Sequence, residues 1–145
     1  MTAHSMDRLV ASPDGEHRAE FTYVTEIRFG PPYFTLAIDG RPLQNRVFGD
    51  QCVWSPDSRY VAVQEWDTTK EAEGPQTALV VFDVGQWRES RLAEATKGFV
   101  EPRRFDGDLL AYAEEYYADR IRAERAARLP PPERWRSVAA GARRR

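Results

Sequence analysis

Trp54-Ser55-Pro56-Asp57-Ser58-Arg59-Tyr60-Val61-Ala62-Val63-Gln64-Glu65-Trp66 is the stretch on which the fold turns. Its first half is a tight turn. Proline fixes φ at the first central position, aspartate bonds back to nearby amides, and serine tolerates the last corner. The second half is β-branched and aromatic and reads as a strand. The same order recurs as Ser12-Pro13-Asp14-Gly15-Glu16-His17-Arg18-Ala19, and a degenerate copy reads Arg104-Phe105-Asp106-Gly107-Asp108-Leu109-Leu110-Ala111. In each copy the alanine falls five residues after the aspartate, and Asp14, Asp57 and Asp106 stand 43 and 49 residues apart. A turn-then-strand unit at this period marks a chain assembled from like parts. The units fall at about 9–50, 51–98 and 99–139, within one domain over residues 1–145.

Further strands follow from these anchors. Arg18 to Phe29 alternates in part, with Phe21, Tyr23 and Ile27 in phase. Gly30-Pro31-Pro32 turns the chain into the strand Tyr33–Ile38, and Asp39-Gly40 is a second turn signal. Val47-Phe48 and Cys52-Val53-Trp54 lead into the second turn, Thr77 to Val84 pairs after it, and Phe99-Val100 leads into the third. Leu109 to Ala113 is the opening strand of the third unit. Ala118 to Leu129 consists of strong helix formers and ends at Pro130-Pro131-Pro132, so a helix is predicted there. Trp135-Arg136-Ser137-Val138 echoes Trp87-Arg88-Glu89-Ser90 and reads as a closing strand, with Ala139 to Arg145 fraying. The fold class is mainly β: two to three antiparallel sheets with a short C-terminal helical segment.

Ser12-Pro13-Asp14-Gly15 and Trp54-Ser55-Pro56-Asp57-Ser58, each leading into a strand, resemble the repeat of TolB-type and related WD-like β-propellers. The resemblance covers about residues 10–117. It implies blade-like sheets and a surface for binding other proteins, and it carries no catalytic residue over. Rings of this type close with four or more blades. Two good copies and one degenerate copy imply either facing sheets or a homo-oligomer whose protomers complete the ring together.

Composition excludes several classes. The 145 residues are 41% hydrophobic, 12% aromatic and 30% charged, a globular balance. The longest apolar run, about Ala78 to Phe82, is too short to span a bilayer, and the first eight residues lack the basic-then-apolar order of a signal peptide. With the lone Cys52, this points to the cytoplasm and away from membranes. A formal charge of −2 argues against a dedicated nucleic-acid binder. That charge is divided: residues 101–145 carry +3, with eleven Arg, and the first hundred carry −5.

No catalytic constellation stands out. His4 and His17 are the only histidines, so a His-dependent triad rests on a residue near the start or one just after a turn. Together with Cys52 they are too scattered for a zinc site. No glycine-rich phosphate loop is present, and no cofactor or metal is implied. Cys52, between Gln51 and Val53, reads as a small buried side chain. The four Trp read chiefly as packing residues. Tyr112, Tyr116 and Tyr117 read as core aromatics.

The functional expectation is a non-enzymatic module with a protein partner. Small acidic proteins of this kind include immunity proteins that inhibit a cognate bacterial toxin. The alternative is an enzyme or small-ligand binder with its pocket between the sheets. Asp67 to Pro75 is the longest polar excursion, joins two strands and follows Trp66, and such loops are more often functional than structural. Trp66, Asp67, Glu71 and Glu73 are the candidate contact residues.

Overall fold

In a computed structural model of the chain, the described residues are 5–26, 30–116 and 122–138. The two Ser-Pro-Asp turns are built alike. Ser12 Oγ donates to Asp14 Oδ1 at 2.7 Å and accepts the His17 N–H at 3.1 Å. Ser55 Oγ donates to Asp57 Oδ1 at 2.6 Å and accepts the Tyr60 N–H at 3.0 Å. Each aspartate also accepts the N–H two residues on, from Glu16 or Arg59. The corner residue is left-handed in both, Gly15 at φ +75° and Ser58 at φ +65°. The turns touch, with the Asp14 N–H donating to Ser58 Oγ at 3.0 Å.

Among the described residues twelve strands are formed: β1 (Arg8–Ala11), β2 (Arg18–Glu26), β3 (Pro32–Ile38), β4 (Arg41–Pro42), β5 (Val47–Trp54), β6 (Tyr60–Thr68), β7 (Gln76–Asp83), β8 (Arg88–Thr96), β9 (Gly98–Asp106), β10 (Leu109–Tyr116), β11 (Arg122–Arg128) and β12 (Arg136–Ser137). All pairs are antiparallel. One sheet has nine strands in the order β1-β2-β3-β5-β6-β7-β8-β12, with β4 beside β3, and a second has three in the order β11-β10-β9.

β3 meets β5 through the single pair Phe34↔Phe48, so the large sheet folds over at that point. Phe21, Phe34, Leu36 and Ile38 pack against Val61, Val63, Val80 and Phe82 to form a first core. The opposite face of β6 and β7 carries Ala62, Leu79 and Val81, which pack against Val100, Phe105 and Leu110 of the small sheet. The result is three layers with β6 and β7 in the middle. This explains why Val61-Ala62-Val63 and Leu79-Val80-Val81-Phe82 are apolar without alternation: both faces are covered. Ala19 and Ala62 occupy equivalent places, both fully buried and five residues past their aspartates, each on a strand paired on both sides.

The helix expected over Ala118–Leu129 is not formed. Arg122–Arg128 is strand β11, paired with β10 from Glu115↔Arg122 to Leu109↔Arg128. Helix propensity separates these residue types by only about 0.7 kcal/mol or less each. The ladder to β10 offers more. Ala127 packs on the second core, and Arg122 and Arg125 bond to Glu115 and Glu114 across the strands. The helical segment near the C-terminus is instead the 3-10 turn Pro132–Arg134. Residues 117–121 and 139–145 lie outside the described residues, as do His4, Ile27 and Phe29. The closing strand, β12, pairs with the segment it echoes, Arg136↔Glu89 and Ser137↔Arg88.

Candidate functional site

At the β6–β7 hairpin end, a groove of about 790 Å³ opens between the first and middle layers. Its walls include Val24, Tyr33, Trp66, Asp67, Lys70 and Arg91, with Arg46 and Glu65 beneath. Two bulges shape it. The β6–β7 ladder shifts between Trp66↔Thr77 and Thr68↔Gln76, which leaves Asp67 as the extra residue. The β7–β8 ladder shifts between Leu79↔Ala93 and Val80↔Arg91, which leaves Leu92 as the extra residue. Bulges re-aim side chains. Here Arg91 forks onto Asp67, Nη1 to Oδ1 at 3.1 Å and Nη2 to Oδ2 at 2.9 Å, and also holds Glu94 at 3.0 Å. Burial works against the Arg91 charge, but Asp67 and Glu94 outweigh it and hold the guanidinium more firmly protonated than usual.

Beneath the groove lies a buried ionic triad. Arg46 bonds to Glu65 through Nε at 2.9 Å and Nη2 at 2.8 Å, and to Glu89 through Nη1 at 3.0 Å and Nη2 at 2.8 Å. All three side chains are at most 3% exposed. The guanidinium also stands 5.6 Å from the rings of Phe48 and Phe82. Desolvation opposes its charge, and the bonds to Glu65 and Glu89 more than compensate, so its pKa is raised. The triad ties β5's approach to β6 and β8 and gives the groove a rigid floor.

The sequence-predicted contact residues separate here. Trp66 lines the groove but is only 5% exposed and packs edge-on to Phe99 at 5.7 Å, so it is a wall residue rather than a projecting anchor. Its indole N–H has no acceptor among the described residues and lies near Gly49, where a Cβ would collide with Gln64 Oε1. Asp67 lines the groove but is engaged by Arg91. Glu71 and Glu73 bound a 3-10 turn in the hairpin, and Glu73 is ion-paired with Lys70 at 3.9 Å. The triad escaped the sequence reading. A carboxylate in phase with Val61 and Val63 signals a buried charge at Glu65, yet nothing local selects Arg46 as its partner.

Other candidates are structural. His17 Nδ1 lies 2.7 Å from Asp39 Oδ2 and its ring stacks on Trp54. Among the described residues, no hydroxyl or thiol bonds to that ring. Cys52 is partly buried against the first core, and burial pushes its thiol up to about 12 despite Arg8 nearby. Trp54 donates to Val10 O at 3.1 Å and Trp135 to Pro130 O at 3.0 Å, while Trp87 stacks beneath Arg41. Tyr112 is buried in the second core. Among the described residues, no group of three or more His, Cys, Asp or Glu is placed to hold a metal ion, and no helix is long and apolar enough to cross a membrane.

What fold and site define together is a mainly β protein of three antiparallel layers with an open, charged groove at one end of the central hairpin. Comparison with protein-family models, curated proteins and solved structures finds no match to this chain.

Proposed function

We propose that this chain is a non-enzymatic protein-binding module that uses the groove and the adjoining 69–75 hairpin as its contact surface. The carrying observation is the groove itself. It joins an exposed aliphatic residue, Val24 at 45%, the partly exposed Tyr33 and the Asp67–Arg91–Glu94 cluster, all above the buried, hydrogen-bonded Arg46 guanidinium of the triad. An apolar centre with a charged rim on a rigid base is what a partner interface needs. The Ser-Pro-Asp repeats, similar to those of propeller blades, support the same reading. The finer proposal is an immunity-type role, in which the partner is a toxin whose active site is blocked. The acidic first hundred residues favour a basic partner surface for that role.

The test starts from the protein purified from its native cells and its stoichiometric companion identified by mass spectrometry. With both reconstituted, replacing Asp67, Glu71 and Glu73 by Lys weakens binding at least tenfold, while the melting temperature shifts by no more than a few degrees. Exposed ion pairs contribute only about 0–1 kcal/mol to stability, which justifies that margin. Unchanged affinity would refute the groove. Growth arrest on expressing the companion alone, relieved by co-expression, is the outcome for a toxin. No arrest would remove the immunity reading and leave the binding module intact.

A further inference from the structure

A second site lies outside the groove, where β8 and β11 leave a slot between them. β8 is nine residues long, yet β12 pairs with it only at Arg88 and Glu89. Beyond these, Ser90 Oγ donates to Arg134 O at 3.3 Å, and from Arg91 onward no strand lies on that side of β8 among the described residues. β11 is likewise an edge strand, paired with β10 alone. Between the two edges is a cavity of about 460 Å³. Unpaired backbone N–H and C=O groups on a strand edge are a template for an added strand.

The lining specifies what that strand carries. Arg91, Arg128, Arg134 and Arg136 surround the slot. Its one carboxylate, Glu89, is already held by Arg46. Arg91 is engaged by Asp67 and Glu94, and Arg128 by the exposed Asp108. Arg134 and Arg136 are exposed and have no carboxylate partner among the described residues. Leu92 and Leu129, partly buried on the second core, add apolar surface to the lining. A strand alternates its side chains between two faces. A segment with carboxylates in one phase and small apolar residues in the other matches such a slot.

We propose that this slot binds an extended acidic peptide segment of a partner, added as a strand along the free edge of β8. The chain's own terminal Arg143, Arg144 and Arg145 have the wrong sign to fill it. A single-stranded nucleic acid is disfavoured, because the slot's lining holds no aromatic ring on which a base could stack. The slot shares Arg91 with the groove, but its test turns on Arg134 and Arg136, which line the slot and not the groove, and uses the purified chain alone, so its failure and that of the groove are distinguishable.

The probe is a fluorescein-labelled peptide of alternating Glu and Val, read by anisotropy, beside the same peptide with Gln for Glu and a labelled ten-nucleotide oligothymidylate. The acidic peptide binds, loses affinity as salt rises, and loses at least tenfold against the R134E/R136E variant with its melting temperature unchanged. The Gln peptide binds at least tenfold more weakly. N-methylation of alternate residues abolishes binding in one phase and spares it in the other. Equal binding of the acidic and Gln peptides, indifference to R134E/R136E, or tolerance of N-methylation in both phases would each overturn the proposal. Tighter binding of the oligonucleotide would overturn it in favour of nucleic acid.

Discussion

At the residue scale, the Glu65–Arg46–Glu89 triad is the most deeply buried ion-paired cluster among the described residues. Three charges lose their water, and Arg46 returns four hydrogen bonds through two forks. Such a cluster contributes little net stability against an apolar equivalent, but losing one partner strands the others. Arg46→Met is therefore expected to cost about 3–5 kcal/mol in urea unfolding. Adding Glu65→Leu and Glu89→Leu should recover most of that loss. A cost below about 1 kcal/mol for Arg46→Met would show that the carboxylates find water in its absence.

At the element scale, the central strands carry the packing. Leu79 on β7 is fully buried in the second core, whereas Leu9 on β1 is 61% exposed. Leu79→Ala should cost about 2–5 kcal/mol through lost contacts and a cavity. Leu9→Ala should stay within about 0.5 kcal/mol, as exposed substitutions do. Equal losses in chemical denaturation would contradict the layered arrangement. The strands that the sequence displayed best, β6 and β7, are those whose two faces are both covered. β8, with the polar sequence Arg88-Glu89-Ser90-Arg91-Leu92-Ala93-Glu94-Ala95-Thr96, carries no such signal, because its buried positions include Glu89, held by Arg46, and Ser90, and most of the rest are only partly buried. β11 reads as a helix because most of its side chains are exposed: there propensity is all the sequence offers, and the pairing with β10 overrides it.

At the scale of the whole molecule, the outer faces of the stack are largely polar, with Arg18, Thr22 and Thr35 exposed on the first layer and Arg104, Arg122 and Glu124 on the third. Terminal units of stacked repeats need such faces. The turns and layer edges make stability depend on acid. Burial tends to raise Asp83, but bonds from Arg59 and Arg88 hold it below the usual value. Asp14 and Asp57 are lowered too, Asp14 chiefly by the Glu16 N–H and Asp57 chiefly by the Ser55 hydroxyl. A carboxyl whose folded pKa is depressed adds stability above its unfolded pKa, about 3.9 for Asp, and loses it as pH falls through the folded value. Glu101 is raised by burial and acts oppositely, so its contribution fades as pH rises. Three groups against one predict net destabilisation below about pH 4. Asp83→Asn should cost about 2 kcal/mol at neutral pH and flatten the acid limb of the stability profile. An acid limb identical to that of the parent would refute the assignment.

The sequence by itself determined the repeat, the chemistry of its turns and the strands buried on both faces. Those features depend on local bonds and on alternation, or its absence, within a few residues. The tertiary structure alone decided that the large sheet folds between β3 and β5, that Arg46 joins Glu65 and Glu89, and that Trp66, expected as a contact residue, is buried against Phe99. Each of these depends on groups 14 or more residues apart, brought together by burial of two apolar cores. No local pattern encodes which distant partner such a group will meet.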